Sequence, residues 1–327
     1  MGKNQVLDST RFLVENSKYV RINDTRIKAT AQQFAQQDFI VPAWDAEVFL
    51  KGKLSDVSAF FLLANTINFA FTNFTTGEKY KAGFNGQEYR GAYAMYAAMM
   101  QAIQDKIPIL DGTYLKNTTQ KEVENIFCRT SEIPMLAERV KQWNDTGRVL
   151  CDRYSGSFIK VIEESRWRLF DNGSGLVERL ANEFPSFEDS TTFEGRKICF
   201  NKRAQLGPAE LHARYLSEGL VLFSDIEDLS GFADYELPKG LRSLGILEYS
   251  PELAEKIDNG IEIPKETREE IEIRAAMLHA FDRLLRTINE LRTPEKQPIN
   301  VLHLDYKLWS ETRKTPGRHH LTRTTAY

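Results

Sequence analysis

Along most of the chain apolar residues recur every three to four positions, the spacing that lines one face of a helix. Helices are therefore expected over 9–15, 28–37, 56–64, 92–106, 119–127, 134–153 and 156–164. The clearest begins near Glu266 and runs to Leu291, with Ile271, Ala275, Leu278, Leu285 and Ile288 on one face, a stripe suited to core packing. Thr119 followed by Glu122 has the form of a capping box, in which each side chain satisfies the other's free backbone donor. Two segments break the helical period. The runs 80–84 and 87–90 flank Asn85-Gly86, and Asn-Gly predicts a tight hairpin because both central positions need a positive φ. A Glu194-Gly195 turn within 191–200 predicts a second hairpin of two short strands, on a weaker signal. The expectation is a mainly α protein with one or two short β-hairpins. With no internal repeat and no linker, residues 1–327 read as a single unit, or as two helical lobes with a cleft between them.

Composition narrows the function. A chain of 327 residues with 42% hydrophobic and 27% charged content is an ordinary globular composition. The opening MGKNQVLDSTRFLVENS has no apolar run of the signal-peptide kind, and the apolar stretch 57–71 is too short to span a membrane and carries Asn65 and Asn68. A soluble, cytoplasmic or nuclear protein is expected. Cys128, Cys151 and Cys199 are widely separated, with no CxxC pair, which fits a reducing compartment. The net charge of −3 argues against a long nucleic-acid partner, whose phosphates require a dense basic surface, and favours a small-molecule substrate; separately, a monomer is the default expectation.

The common motifs are missing. There is no P-loop, HExxH, GxSxG or helix-opening GxGxxG. The five histidines show no ligand spacing, and the adjacent His319 and His320 point apart on any regular backbone, so neither metal nor cofactor is expected.

What stands out is a series of segments. Asn65-Thr66-Ile67-Asn68-Phe69-Ala70-Phe71, Phe193-Glu194-Gly195 and Asn201-Lys202-Arg203-Ala204-Gln205 are followed by Phe232-Ala233-Asp234-Tyr235-Glu236-Leu237-Pro238. Leu241-Arg242-Ser243-Leu244-Gly245 through Ser250, Glu272-Ile273-Arg274 and Leu304-Asp305-Tyr306-Lys307-Leu308-Trp309 complete it. In order and spacing the chain resembles the queuosine salvage family across nearly its whole length. It departs at Thr72, where the family usually has Trp, and at Ser310, where Asp commonly follows Leu-Trp. The resemblance implies a helical, DNA-glycosylase-like fold and hydrolysis of queuosine 5'-phosphate to queuine and ribose 5-phosphate. A DNA or RNA base glycosylase, or a non-catalytic protein binding queuine or modified tRNA, are the alternatives.

Cleaving a ribose C1–N bond passes through an oxocarbenium-like state, which a nearby carboxylate stabilises. Asp234, between Phe232 and Tyr235, is the candidate catalytic carboxylate, although Asp there is equally suited to capping a helix. The leaving 7-deazaguanine lacks the ring nitrogen that purine-releasing enzymes often protonate, so stacking and hydrogen bonds to its edge must help. Phe69, Phe232, Tyr235 and Trp309 are candidates for stacking, Asn68 and Asp305 for the polar edge. Lys202, near a helix start, is the candidate for the 5'-phosphate, with His320, Arg323 and Tyr327 of the closing segment as further candidates.

Overall fold

The structure, a computed structural model, describes residues 2–327. In chain order it contains α1 (Gly2–Glu15), β1 (Val20–Ile22), α2 (Asp24–Ala35), α3 (Leu54–Thr66), β2 (Lys81–Phe84), β3 (Gln87–Arg90) and α4 (Ala92–Gln104). Then follow α5 (Gly112–Asn117), α6 (Gln120–Phe127), α7 (Leu136–Arg153), α8 (Phe158–Glu164), α9 (Leu176–Glu183), β4 (Ser190–Phe193) and β5 (Arg196–Cys199). The chain closes with α10 (Lys202–Leu216), α11 (Glu236–Ser243), β6 (Leu247–Tyr249), α12 (Pro251–Asp258), α13 (Arg268–Leu291) and α14 (Val301–Thr312). The protein is mainly helical, and no described helix is long and apolar enough to cross a membrane.

Local signals account for many of these boundaries. Thr119 and Glu122 form the expected capping box at α6. The β2–β3 hairpin turns at Asn85 and Gly86, φ 48° and 78°, and the β4–β5 hairpin at Glu194 and Gly195, φ 48° and 73°, both in the left-handed region that two-residue hairpin turns need. A third pairing, antiparallel β1 with β6, joins Val20–Ile22 to Leu247–Tyr249.

The chain divides into two compact units. The first comprises residues 1–42, 189–202 and 226–323. Its spine is α13, which packs against α1, α2, α11, β1 and β6. The predicted stripe is displaced near its end: Ile271, Ala275, Leu278 and Ile288 are buried, but Leu284 takes the core position next to the half-buried Leu285. Charged residues share that core. Glu272 accepts from the Lys18 and Tyr19 amides, the Ser17 hydroxyl and Arg268 Nε, which anchors the end of α1 to α13.

The second unit comprises 43–188, 203–225 and 324–327. Its α3 is buried on all sides from Val57 to Thr66. Two buried arginines receive the chain where α3 ends: Arg139 donates to the carbonyls of Ile67, Phe69 and Ala70, and Arg203 to those of Asn65, Thr66 and Ala326. Arg203 thus supplies donors to two carbonyls that the helix end leaves without intrahelical partners, and Arg139 holds the chain just beyond them.

Candidate active site

In the first unit, Phe232–Pro238 leads into α11. Asp234 Oδ1 accepts from the backbone N–H groups of Glu236 and Leu237, each at 2.9 Å, so Asp234 does cap the helix. Its other oxygen, Oδ2, accepts no hydrogen bond from the described residues. The carboxylate is thus divided: one oxygen is fixed by the helix N-terminus, which also favours its negative charge, and the second is open for chemistry. Asp234 is half-buried, and burial raises its pKa; the Lys202 charge and the Leu237 N–H oppose the rise, while the charge of Glu236 adds to it.

Lys202 opens α10 and is itself buried, 5% exposed. Its backbone N–H donates to Asp189 Oδ2 at 2.9 Å. The same oxygen accepts from Arg274 Nη2 at 2.7 Å, and Arg274 Nε donates to the carbonyl of Ala233 at 3.1 Å. The guanidinium lies 3.9 Å from the centre of the Phe200 ring, and Glu270 lies 3.6 Å away on the same helix. Sequence spacing did not single out this pair, because Asp189 and Arg274 are 85 residues apart. Arg274 belonged to a recognised segment but carried no chemical signal of its own.

The remaining candidates differ in what they expose. Phe232 is buried, whereas Tyr235 is half-buried with its ring 4.3 Å from that of His319, a neighbour the sequence did not indicate. Asp305 and Trp309 lie one turn apart on α14, which packs on α11; Trp309 stacks on Tyr306 at 6.3 Å and carries the Arg313 guanidinium at 4.7 Å. Arg323 is exposed and pairs with Glu262 at 3.5 Å. In the second unit, Asn68 is buried and donates to Asn65 Oδ1, while the buried Phe69 ring has Arg139 at 4.3 Å and Arg203 at 5.3 Å over it. The buried Tyr327 lends its carbonyl to the Ala70 N–H.

His320 is 2% exposed; burial first, then the charges of His319 and Arg274, push its pKa down to about 3. It is therefore neutral at pH 7 and offers a hydrogen bond rather than a charge. Between pH 6.5 and about 3 the unfolded chain binds a proton at this residue that the folded chain does not. Stability from this group is therefore complete above pH 6.5 and is lost on acidification, by about 1.4 kcal/mol per pH unit. Denaturant melts of wild type and His320→Gln should diverge in slope across this window, the variant falling less steeply; parallel profiles would refute the assignment.

A carboxylate with one oxygen held by the helix start and the other outside that cap, subject to a buried ammonium's charge, has the chemistry to stabilise positive charge. The chain belongs to the queuosine salvage protein family, whose model matches residues 50–327. A protein from Sphaerobacter thermophilus named queuosine 5'-phosphate N-glycosylase/hydrolase is 32% identical, over 98% of this chain and 97% of its own length. Proteins of the same name from Bos taurus, 32% identical over 94% of this chain and 92% of the relative, and from Schizosaccharomyces pombe, 27% over 93% and 90%, match in the same way.

Proposed function

We propose that this chain is an enzyme that hydrolyses the N-glycosidic bond of queuosine 5'-phosphate, releasing queuine and ribose 5-phosphate. The relatives' shared name supplies the substrate. The observation that carries the chemistry is the divided carboxylate of Asp234, with Oδ1 committed to the helix cap and Oδ2 open.

As the bond between ribose C1 and the base nitrogen breaks, its electron pair leaves with the base and positive charge develops on C1 and the ring oxygen. Asp234 Oδ2 faces that charge, either stabilising it or bonding to C1 before water completes the hydrolysis. The fixed Oδ1 means that the carboxylate need not reorganise as charge builds. The Lys202 charge opposes the rise that burial imposes on the Asp234 pKa, which favours the ionised form. Tyr235 and Trp309, both half-buried, supply aromatic surface to the 7-deazaguanine, with Phe232 packed beneath the motif; Asp305 reads the base's polar edge. Arg323 supplies charge and neutral His320 a hydrogen bond to the 5'-phosphate. The three free cysteines support a reducing, cytoplasmic setting.

Incubating the purified protein separately with queuosine 5'-phosphate, queuosine and queuosine-containing tRNA, and following free queuine by chromatography, tests this reading. The nucleotide should be the best substrate. Release from tRNA alone would instead favour a base glycosylase acting on the polymer, and release from none would exclude an enzyme of this class.

A further inference from the structure

We propose that the buried Arg274–Asp189 pair positions the reaction's two charged groups, fixing the segment that carries Lys202 against the segment that carries Asp234. The inference rests on the reading of Asp234 as the reacting carboxylate and deepens it.

Both ends of the pair reach the chain next to those groups. Arg274 Nε holds the carbonyl of Ala233, part of the peptide bond whose nitrogen belongs to Asp234. Arg274 Nη2 holds Asp189 Oδ2, and that same oxygen holds the Lys202 amide. One guanidinium and one carboxylate therefore connect two stretches of chain that sequence separates widely. The Phe200 ring lies against the guanidinium, and the Phe200 N–H donates to the Asp189 carbonyl at 3.0 Å, which fixes the pair's orientation from a third side.

Burial argues for geometry over stability. Arg274 and Asp189 are 3% and 6% exposed. Desolvating both charges consumes much of their attraction, so such a pair adds little to folding compared with an apolar pair of equal volume. A planar guanidinium with donors in fixed directions suits a brace between two carbonyl or carboxylate acceptors.

The same helix provides a comparison. Arg268 pairs with Glu272 and Glu194 and donates to the Asn16 carbonyl, holding structure without touching either charged segment. The charged groups that act on Asp234 are Lys202 of α10 and Glu236 of α11. If Lys202 drifts, its opposition to the effects of burial and Glu236 weakens, and Asp234 becomes harder to ionise.

The test measures kcat, KM and the pH dependence of kcat/KM on queuosine 5'-phosphate for Asp189→Asn, Arg274→Lys and the comparison variant Arg268→Gln. Asp189→Asn keeps the shape but weakens the hold on Arg274; Arg274→Lys keeps the charge but loses the two-directional donor set. Both should lower kcat by roughly ten- to a hundredfold, the effect of misplacing reacting groups by about an ångström. KM should change less than kcat, and the acid limb should move to higher pH. Arg268→Gln should melt earlier with its acid limb unmoved.

Wild-type kcat and an unmoved limb in the folded pair variants would overturn the proposal, leaving the pair a structural contact. Should neither single variant fold, Asp189→Leu/Arg274→Met replaces the pair with apolar side chains; wild-type kcat in that folded protein would overturn the proposal, and slow turnover would support it. The underlying reading fails separately, if Asp234→Asn remains active.

Discussion

Asp234→Asn is expected to reduce kcat on queuosine 5'-phosphate by about a thousandfold or more, equivalent to about 4 kcal/mol of transition-state stabilisation, while the protein melts close to the wild type. The two expectations have different causes. Asn is as good a helix cap as Asp, and its Oδ1 can accept from the Glu236 and Leu237 amides as the native Oδ1 does. What the substitution removes is the negative charge at the open oxygen. Asp234→Ala removes both, and should add a stability loss of about 1 kcal/mol for the missing cap to the same loss of turnover. Thermal melts and steady-state rates on the two variants therefore separate capping from catalysis. An active Asp234→Asn with an unstable Asp234→Ala would reduce the residue to its cap.

Gly147→Ala carries the largest expected effect on stability. An added Cβ on α7 would lie 2.2 Å from the Lys116 amide nitrogen, 2.6 Å from the Gly112 carbonyl oxygen and 2.7 Å from the Leu115 carbonyl carbon. All three are backbone atoms and cannot swing aside, so α5 and α7 would have to separate. Overpacking of a well-filled core costs about 1–3 kcal/mol, and an obstacle made of backbone belongs at or above the upper end. A chemical-denaturation midpoint within error of the wild type would show that these helices have freedom the structure does not display.

Where local chemistry decides, the sequence is informative. Asn85-Gly86 announces its turn because so few residues tolerate two consecutive positive φ values, Glu194-Gly195 does so through its glycine alone, and Thr119 with Glu122 announces the start of α6 for an equally local reason. The β1–β6 pairing was invisible, since two three-residue strands meet from opposite ends of the sequence. The short α5, with 6 residues, has too few turns for a periodic stripe. Leu284 rather than Leu285 faces the core because the helical period of 3.6 lets either residue serve and only packing selects between them.

The site was legible in part for the same reason. Asp234 stood out through its motif, and both readings of it were available; that one side chain holds a cap with one oxygen and leaves the other open is a matter of geometry. Arg139, Arg203 and Arg274 are buried, each holding backbone carbonyls from distant parts of its own unit. No periodicity marks a residue whose partners are carbonyl oxygens. His320 was a candidate for the phosphate, and its neutrality follows from burial that only the structure shows.

The central claim is that the Asp234 carboxylate drives cleavage between ribose C1 and the base. Its most direct test is the product balance from queuosine 5'-phosphate with wild type and Asp234→Asn at equal concentration and matched folded fraction. The account predicts equimolar queuine and ribose 5-phosphate from the wild type and almost none from the variant over the same time. Equal turnover by the two proteins, or no queuine from the wild type, would contradict it.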